Sequence, residues 1–247
     1  MERGYCPMTY IWQVSVIGSL AGVLGTGLGG LLIALFGKPH RTVLGFLLAF
    51  SGGIMLTVVC RDLLPEALAL GNPFSTLAGL CGGIAAMFAL NHVVPHIHPN
   101  SQESRAFLRI GLLIGVGIAM HNFPEGLAIG AGYAASDSLG LGLAIALALH
   151  NIPEGMAMAG PLIAGKVAPL WTALWTAAAG LPMGLGAFAG ALFGEVSTAW
   201  LSAALGAAGG AMLYLVFHEL LPQSHTLNRP ATTYYGAVTG IIVGFLL

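Results

Sequence analysis

Two near-copies of one six-residue phrase carry the side chains best suited to chemistry: His121-Asn122-Phe123-Pro124-Glu125-Gly126 and His150-Asn151-Ile152-Pro153-Glu154-Gly155. Each stands inside a long apolar run, where a carboxylate is costly and ordinarily has a partner or a task. On a helix, residues i and i+4 share a face. His121 then falls beside Glu125 and His150 beside Glu154, with Asn122 and Asn151 one residue round. Pro124 and Pro153 lack an N–H and crowd the preceding turn, which deprives the carbonyls of Met120 and Leu149 of their helical donor. Imidazole, carboxylate, amide oxygen and bare carbonyl around one helix kink make a cation site. One buried His–Glu pair is more often a structural hydrogen bond. Two pairs with the same Pro and Gly placement, 29 residues apart, favour the cation. That spacing is one membrane crossing plus a short loop, so the phrases meet at one depth on antiparallel neighbours.

Two imidazoles and two carboxylates suit borderline ions such as Zn²⁺, Fe²⁺, Mn²⁺ or Co²⁺, whereas Mg²⁺ and Ca²⁺ prefer oxygen alone. No resident cofactor is indicated; the ion is read as cargo.

The surrounding elements must lie in lipid. Of 247 residues, 57% are hydrophobic and 7% charged, where a soluble domain carries about 25% charged residues. The lipid bilayer is therefore a partner, and a net charge of −1 gives no footing for nucleic acid. Thirty-seven glycines suit helices packed backbone to backbone. Cys6, Cys60 and Cys81 show neither a disulfide framework nor finger spacing. The N-terminus lacks the basic region and cleavage site of a signal peptide.

At about 20 apolar residues per crossing, the chain reads as an all-α polytopic membrane protein. Eight transmembrane helices are expected, near 11–36, 43–69, 74–95, 107–133, 139–163, 169–193, 199–222 and 231–247. The whole chain, 1–247, forms a single transmembrane domain. Lys38, Arg41, Arg105, Arg109, Lys166 and Arg229 fall on one side of this arrangement and Arg3 on the other. Basic residues favour the cytoplasm, so both termini are expected outside a cell (inner or plasma) membrane.

An internal repeat orders these spans. At an offset of 157 residues, 27–90 align without a gap to 184–247, with 25 identities in 64 positions. The repeat pairs spans 1–3 (11–95) with spans 6–8 (168–247), leaving spans 4 and 5 (107–163) between them as the metal-site helices. Span 2 and span 7 run in opposite senses, so the halves are inverted copies. Inverted repeats about a midplane ion site on broken helices are the architecture of secondary transporters.

The repeat also sets polar residues along a route. Asp62 and Glu66 fall toward one end of span 2, while His218 and Glu219 occupy the matching part of span 7. Asp62, His218 and Glu219 are read as lining a cation path, against the alternative that residues near helix ends are simply solvated. His92, His96 and His98 lie in the longest loop, where solvation is the default. Met55 and Met212 would ordinarily be core filler.

With these residues in hand, the chain resembles the ZIP (Zrt/Irt-like) family of divalent-metal transporters, in its compact bacterial form. The resemblance rests on eight spans, a His-containing loop after span 3, and the His-Asn-x-Pro-Glu-Gly phrase of span 4, twinned in span 5. It implies uptake of Zn²⁺, often with Fe²⁺, Mn²⁺, Co²⁺ or Cd²⁺, toward the cytoplasm. His121, Glu125, His150 and Glu154 become core ligands, Met55 a soft fifth, and Asn122 and Asn151 contributors to an adjoining site. Asp62 matches the outer entrance. The family moves spans 1, 4, 5 and 6 against spans 2, 3, 7 and 8, often as dimers, so a homodimer is among the expectations. Relatives with two bound metals place Glu in span 6, where this chain reads Gly180-Leu181-Pro182-Met183-Gly184, and some have Asp at the position of Asn151.

Two rivals are weighed. A membrane-embedded metallohydrolase needs an open metal position, a water and a base; His218-Glu219-Leu220-Leu221-Pro222 begins like such a helix but has Pro where the second His belongs. A carrier of an organic solute wants a large mixed pocket that the sequence does not suggest.

Overall fold

The computed structural model describes residues 8–37, 39–93, 103–192 and 198–246. Among them are eleven α-helices: α1 (Met8–Phe36), α2 (Arg41–Val58), α3 (Leu64–Leu70), α4 (Pro73–Val93), α5 (Glu103–Ala135), α6 (Asp137–Ala164), α7 (Pro169–Ala179), α8 (Leu181–Leu192), α9 (Thr198–Leu215), α10 (Leu221–Leu227) and α11 (Pro230–Leu246). A π-helical turn, Val59–Leu63, joins α2 to α3, and a second, Val216–Leu220, joins α9 to α10. No strand occurs among the described residues. Seven segments are long and apolar enough to cross a membrane; α11, with 17 residues, is the eighth and shortest. The protein is thus an all-α, multi-pass membrane protein. His96 and His98, with Lys38, Arg3 and Cys6, lie outside the described residues.

The 157-residue offset recurs in the element bounds. Shifted by that amount, α2, its π turn and α3 land on α9, its π turn and α10, residue for residue. It recurs in the packing too. A methyl group on Gly53 of α2 would run into the carbonyl oxygen of Ala237 in α11, and one on Gly210 of α9 into that of Leu80 in α4. Gly240 against Phe50 and Gly83 against Ala207 form the same pair of contacts. Each half therefore seats its third span on the other half's second span.

The π turns answer a question the sequence poses. Pro65 and Pro222 stand where an unbroken α-helix would set the ring against the carbonyl four residues earlier. Here the N–H of Leu64 reaches back to Val59 and that of Leu221 to Val216, five residues each. The wider turn makes room for the proline, and the helix runs on. This corrects the expected end of span 7 at 222, since the helical segment continues to Leu227.

The glycines of the twin phrases serve a second seam. Gly126 of α5 abuts the Met183 carbonyl of α8, and Gly186 of α8 abuts Phe123. Gly155 of α6 abuts the Thr26 carbonyl of α1, and Gly29 of α1 abuts Ile152. Contact this close is possible only without a Cβ, and it locks α1, α5, α6 and α7–α8 into one group. The other spans form a second group. Glycine contacts between the two groups are with side-chain tips, Gly117 on Leu215 and Gly160 on Leu44.

Candidate metal centre

Helices α5 and α6 pack against each other through the stretches that carry the twin phrases. Both run on through Pro124 and Pro153. His121, Asn122, Glu125, His150, Asn151 and Glu154 are all buried, none more than 6% exposed. Six polar side chains in a lipid-embedded core require internal partners.

Those partners lie across the helix pair. His121 Nε2 is 2.9 Å from Glu154 Oε2, and His150 Nε2 is 3.3 Å from Glu125 Oε1. The expected pairing of His121 with Glu125 and of His150 with Glu154 is corrected in one respect: each couple shares a face, but the hydrogen bonds run between helices. Side chains four apart on one face project side by side, and the antiparallel neighbour sets a carboxylate opposite each imidazole. Asn151 Nδ2 donates to Asn122 Oδ1 at 3.4 Å, and Asn122 Nδ2 donates to the Ala179 carbonyl at 2.9 Å, where α7 gives way to α8. The amides thus tie both phrases to the break in span 6.

Three buried polar atoms of this cluster have no partner: His121 Nδ1, Glu125 Oε2 and Asn151 Oδ1. Each such atom costs about 1–3 kcal/mol. As arranged, no three His, Cys, Asp or Glu side chains among the described residues form a ready metal cage, because the imidazoles and carboxylates are held pairwise. A divalent ion drawing all four inward would replace two hydrogen bonds with two imidazole and two carboxylate ligands. The four ligand types fit a borderline metal.

The remaining expected residues are more scattered. Met55 is 2% exposed, in the same apolar cluster as Ala157 and Met158 of α6. Ser51, one turn before it, donates to the Pro153 carbonyl at 2.8 Å, a contact nothing in the phrases announced. Asp62 lies on the first π turn with its side chain 56% exposed, 3.8 Å from Arg61. Arg61 in turn donates to the Phe245 carbonyl at 2.9 Å. His218 and Glu219 lie on the second π turn, 3.9 Å apart, with His218 exposed and the Glu219 side chain 10% exposed. Asp62, His218 and Glu219 thus share one structural device, and π turns inside α-helices gather at functional sites. His92 ends α4 in contact with the Phe88 carbonyl at 2.8 Å. Met183 of span 6 is fully buried, in the same apolar cluster as Ile129, Tyr133 and Ala187.

Residues 91–247 match the family described as ZIP Zinc transporter. The chain is 35% identical over 136 residues to "Zinc transporter ZupT" of Xanthomonas axonopodis pv. citri, covering 48% of this chain and 49% of that protein. It is 34% identical over 125 residues to the protein of the same name from Escherichia fergusonii, covering 47% and 49%. With that of Stenotrophomonas maltophilia strain K279a the identity is 33% over 152 residues, covering 54% and 56%. The chain spans about half the length of the curated relatives it matches.

Proposed function

The chain belongs to the ZIP zinc transporter family, and on that premise we propose that it carries a divalent transition metal, zinc foremost, across the membrane into the cytoplasm. His121, Glu125, His150 and Glu154 hold the ion midway. Asn122 and Asn151 steady the two phrases against each other, and Met55 offers a soft contact from α2. Asp62 lies on the entry side, and His218 and Glu219 lie on the exit side. Fe²⁺, Mn²⁺, Co²⁺ and Cd²⁺ are the competing cargoes for this ligand set.

The observation that carries this reading is the crossed His–carboxylate cluster with its three unsatisfied buried atoms. A purely structural network would be expected to satisfy its own members. An imidazole or carboxylate left short of a partner is poised to accept a cation. Basic residues at one face, Arg41, Arg105, Arg109, Lys166 and Arg229, support a reading with that face in the cytoplasm and both termini outside an inner or plasma membrane. The single transmembrane domain is proposed as two inverted repeats holding α5 and α6 between them. Names borne by the relatives favour zinc and a carrier over a hydrolase.

A competition uptake assay in proteoliposomes containing only this protein tests the reading. Zn²⁺ enters, and Fe²⁺, Mn²⁺, Co²⁺ or Cd²⁺ slow it in proportion to their affinity. No uptake of any of the five overturns it.

A further inference from the structure

The two halves of the repeat match in their internal packing but not in how they meet α5 and α6. Asp62 and Glu219 occupy equivalent positions on equivalent π turns. Yet the Asp62 side chain is 56% exposed and that of Glu219 is 10% exposed. The same imbalance separates α5 from α6. Leu113, Ile114 and Ile118 in the first half of α5 are each 1% exposed. Their counterparts in α6 at the 29-residue offset, Gly142, Leu143 and Leu147, are exposed or half-buried, and nothing lies within 4 Å of where a Cβ of Gly142 would be. The α5 face at the Glu219 end is packed against α9. The equivalent stretch of α6 at the Asp62 end is more exposed, with Leu143 and Leu147 half-buried against the cluster of Tyr133 and Ala144.

At the Glu219 end, among the described residues, a chain of polar contacts spans α5, α4 and α9. Arg109 of α5 donates through Nη2 to the backbone carbonyl of Asn91 in α4, at 3.3 Å, and to the Asn91 side-chain oxygen. Asn91 Nδ2 donates to the Tyr214 hydroxyl of α9 at 2.9 Å. The Tyr214 ring stacks on the His218 imidazole, with centroids 4.7 Å apart and 7° between planes, and His218 is the neighbour of Glu219. The Arg109 Nε is buried without a partner. The counterpart of Arg109 is Ser138 and that of Tyr214 is Thr57, whose hydroxyl is spent on the carbonyls of Gly53 and Ile241.

We propose that Arg109, Asn91 and Tyr214 form a latch that holds the path shut at its Glu219 end and opens only when α5 shifts against α4 and α9. Arg109 is the central member. Its Nη2 ties the group of helices bearing the twin phrases to the group bearing the π turns, and it brings a fixed positive charge to the Glu219 end of the path. A divalent cation would meet that charge as a barrier until the fork lets go of Asn91 and the guanidinium moves aside. Only the identity of the retained ion depends on the metal-transport reading; the latch is a property of the helices.

The test reads accessibility and needs no metal. In a background of Cys6→Ser, Cys60→Ser and Cys81→Ser, a reporter Ile114→Cys is placed in the sealed face and exposed to a membrane-impermeant maleimide in right-side-out and inverted vesicles. With the latch intact, labelling is slow from both sides. Arg109→Gln and Tyr214→Phe each raise labelling from the Glu219 side by about fivefold, the ratio expected when a two-state closure loses one hydrogen bond of ordinary net strength. Arg109→Lys keeps the charge without the fork and also raises it. A merely structural brace would lower yield without changing labelling from one side selectively. Unchanged labelling in variants that reach the membrane overturns the latch, and should Arg109→Gln not reach it, Tyr214→Phe, which keeps the ring stack, decides. Absent zinc uptake with latch-dependent labelling would refute the transport reading and leave the latch standing.

Discussion

His121 Nε2 and Glu154 Oε2, on different helices, lie 2.9 Å apart, within hydrogen-bond distance across the helix pair. The twin phrases are therefore joined across two helices, each imidazole facing the other phrase's carboxylate.

That relationship is measurable as coupling. In metal-free protein, a double-mutant cycle on His121→Ala and Glu154→Ala should return an interaction energy within the range of about 0.5–3 kcal/mol found for contacting residues. The cycle on His121→Ala and Glu125→Ala should return a smaller value. Unfolding in detergent, followed by circular dichroism, supplies both, and equal values would place the pairing within each helix.

The glycine seams predict a graded response. Gly126→Ala would set a methyl against the Met183 carbonyl, and Gly155→Ala one against the Thr26 carbonyl. Each should destabilise by about 1–3 kcal/mol, the usual range for overpacking a filled interface. Gly142→Ala, with nothing within 4 Å, should be neutral or slightly stabilising. Thermal melts of the three variants separate these cases.

Much of this was legible in the sequence. The twin phrases and the 157-residue repeat were readable because identical residues recur at fixed offsets, and α2 with α3 matches α9 with α10 residue for residue at the second of them. The crossed pairing was not, since it depends on how α5 and α6 are set side by side after the turn at Ser136. The π turns were hidden because span 2 reads straight through Pro65 and Pro222 reads as the end of a helix. Arg109 looked like one more basic residue near a loop. Its partners, Asn91 and Tyr214, come from α4 and α9, and no local pattern reveals a contact assembled from three distant helices.

Uptake should fall as external pH drops from about 6.5 toward 4. Histidine and then carboxylate ordinarily take up protons across that interval, and only deprotonated side chains ligate metal. The sign follows: protons compete with the ion, so apparent affinity weakens toward acid. Initial rates at subsaturating zinc across the range check it, and uptake rising steadily toward acid at saturating zinc would point to proton coupling instead.

One tightly held ion per protomer is expected. Glu125 and Glu154 neutralise a single divalent charge, while Asn122, Asn151 and the fully buried Met183 add none. Two like unit charges about 4 Å apart already repel by about 4 kcal/mol at an effective dielectric of 20. Metal analysis of purified protein gives the ratio directly, and two ions at full occupancy would contradict it.

The central claim is that His121, Glu125, His150 and Glu154 hold the transported metal. Its most direct test is zinc uptake into proteoliposomes by the unmodified protein and by His121→Ala, Glu125→Ala, His150→Ala and Glu154→Ala, each shown to be folded in the membrane. The account predicts saturable uptake by the first and uptake near the protein-free background for the other four. Uptake at the unmodified rate in all four variants would contradict it and put the site elsewhere in the protein.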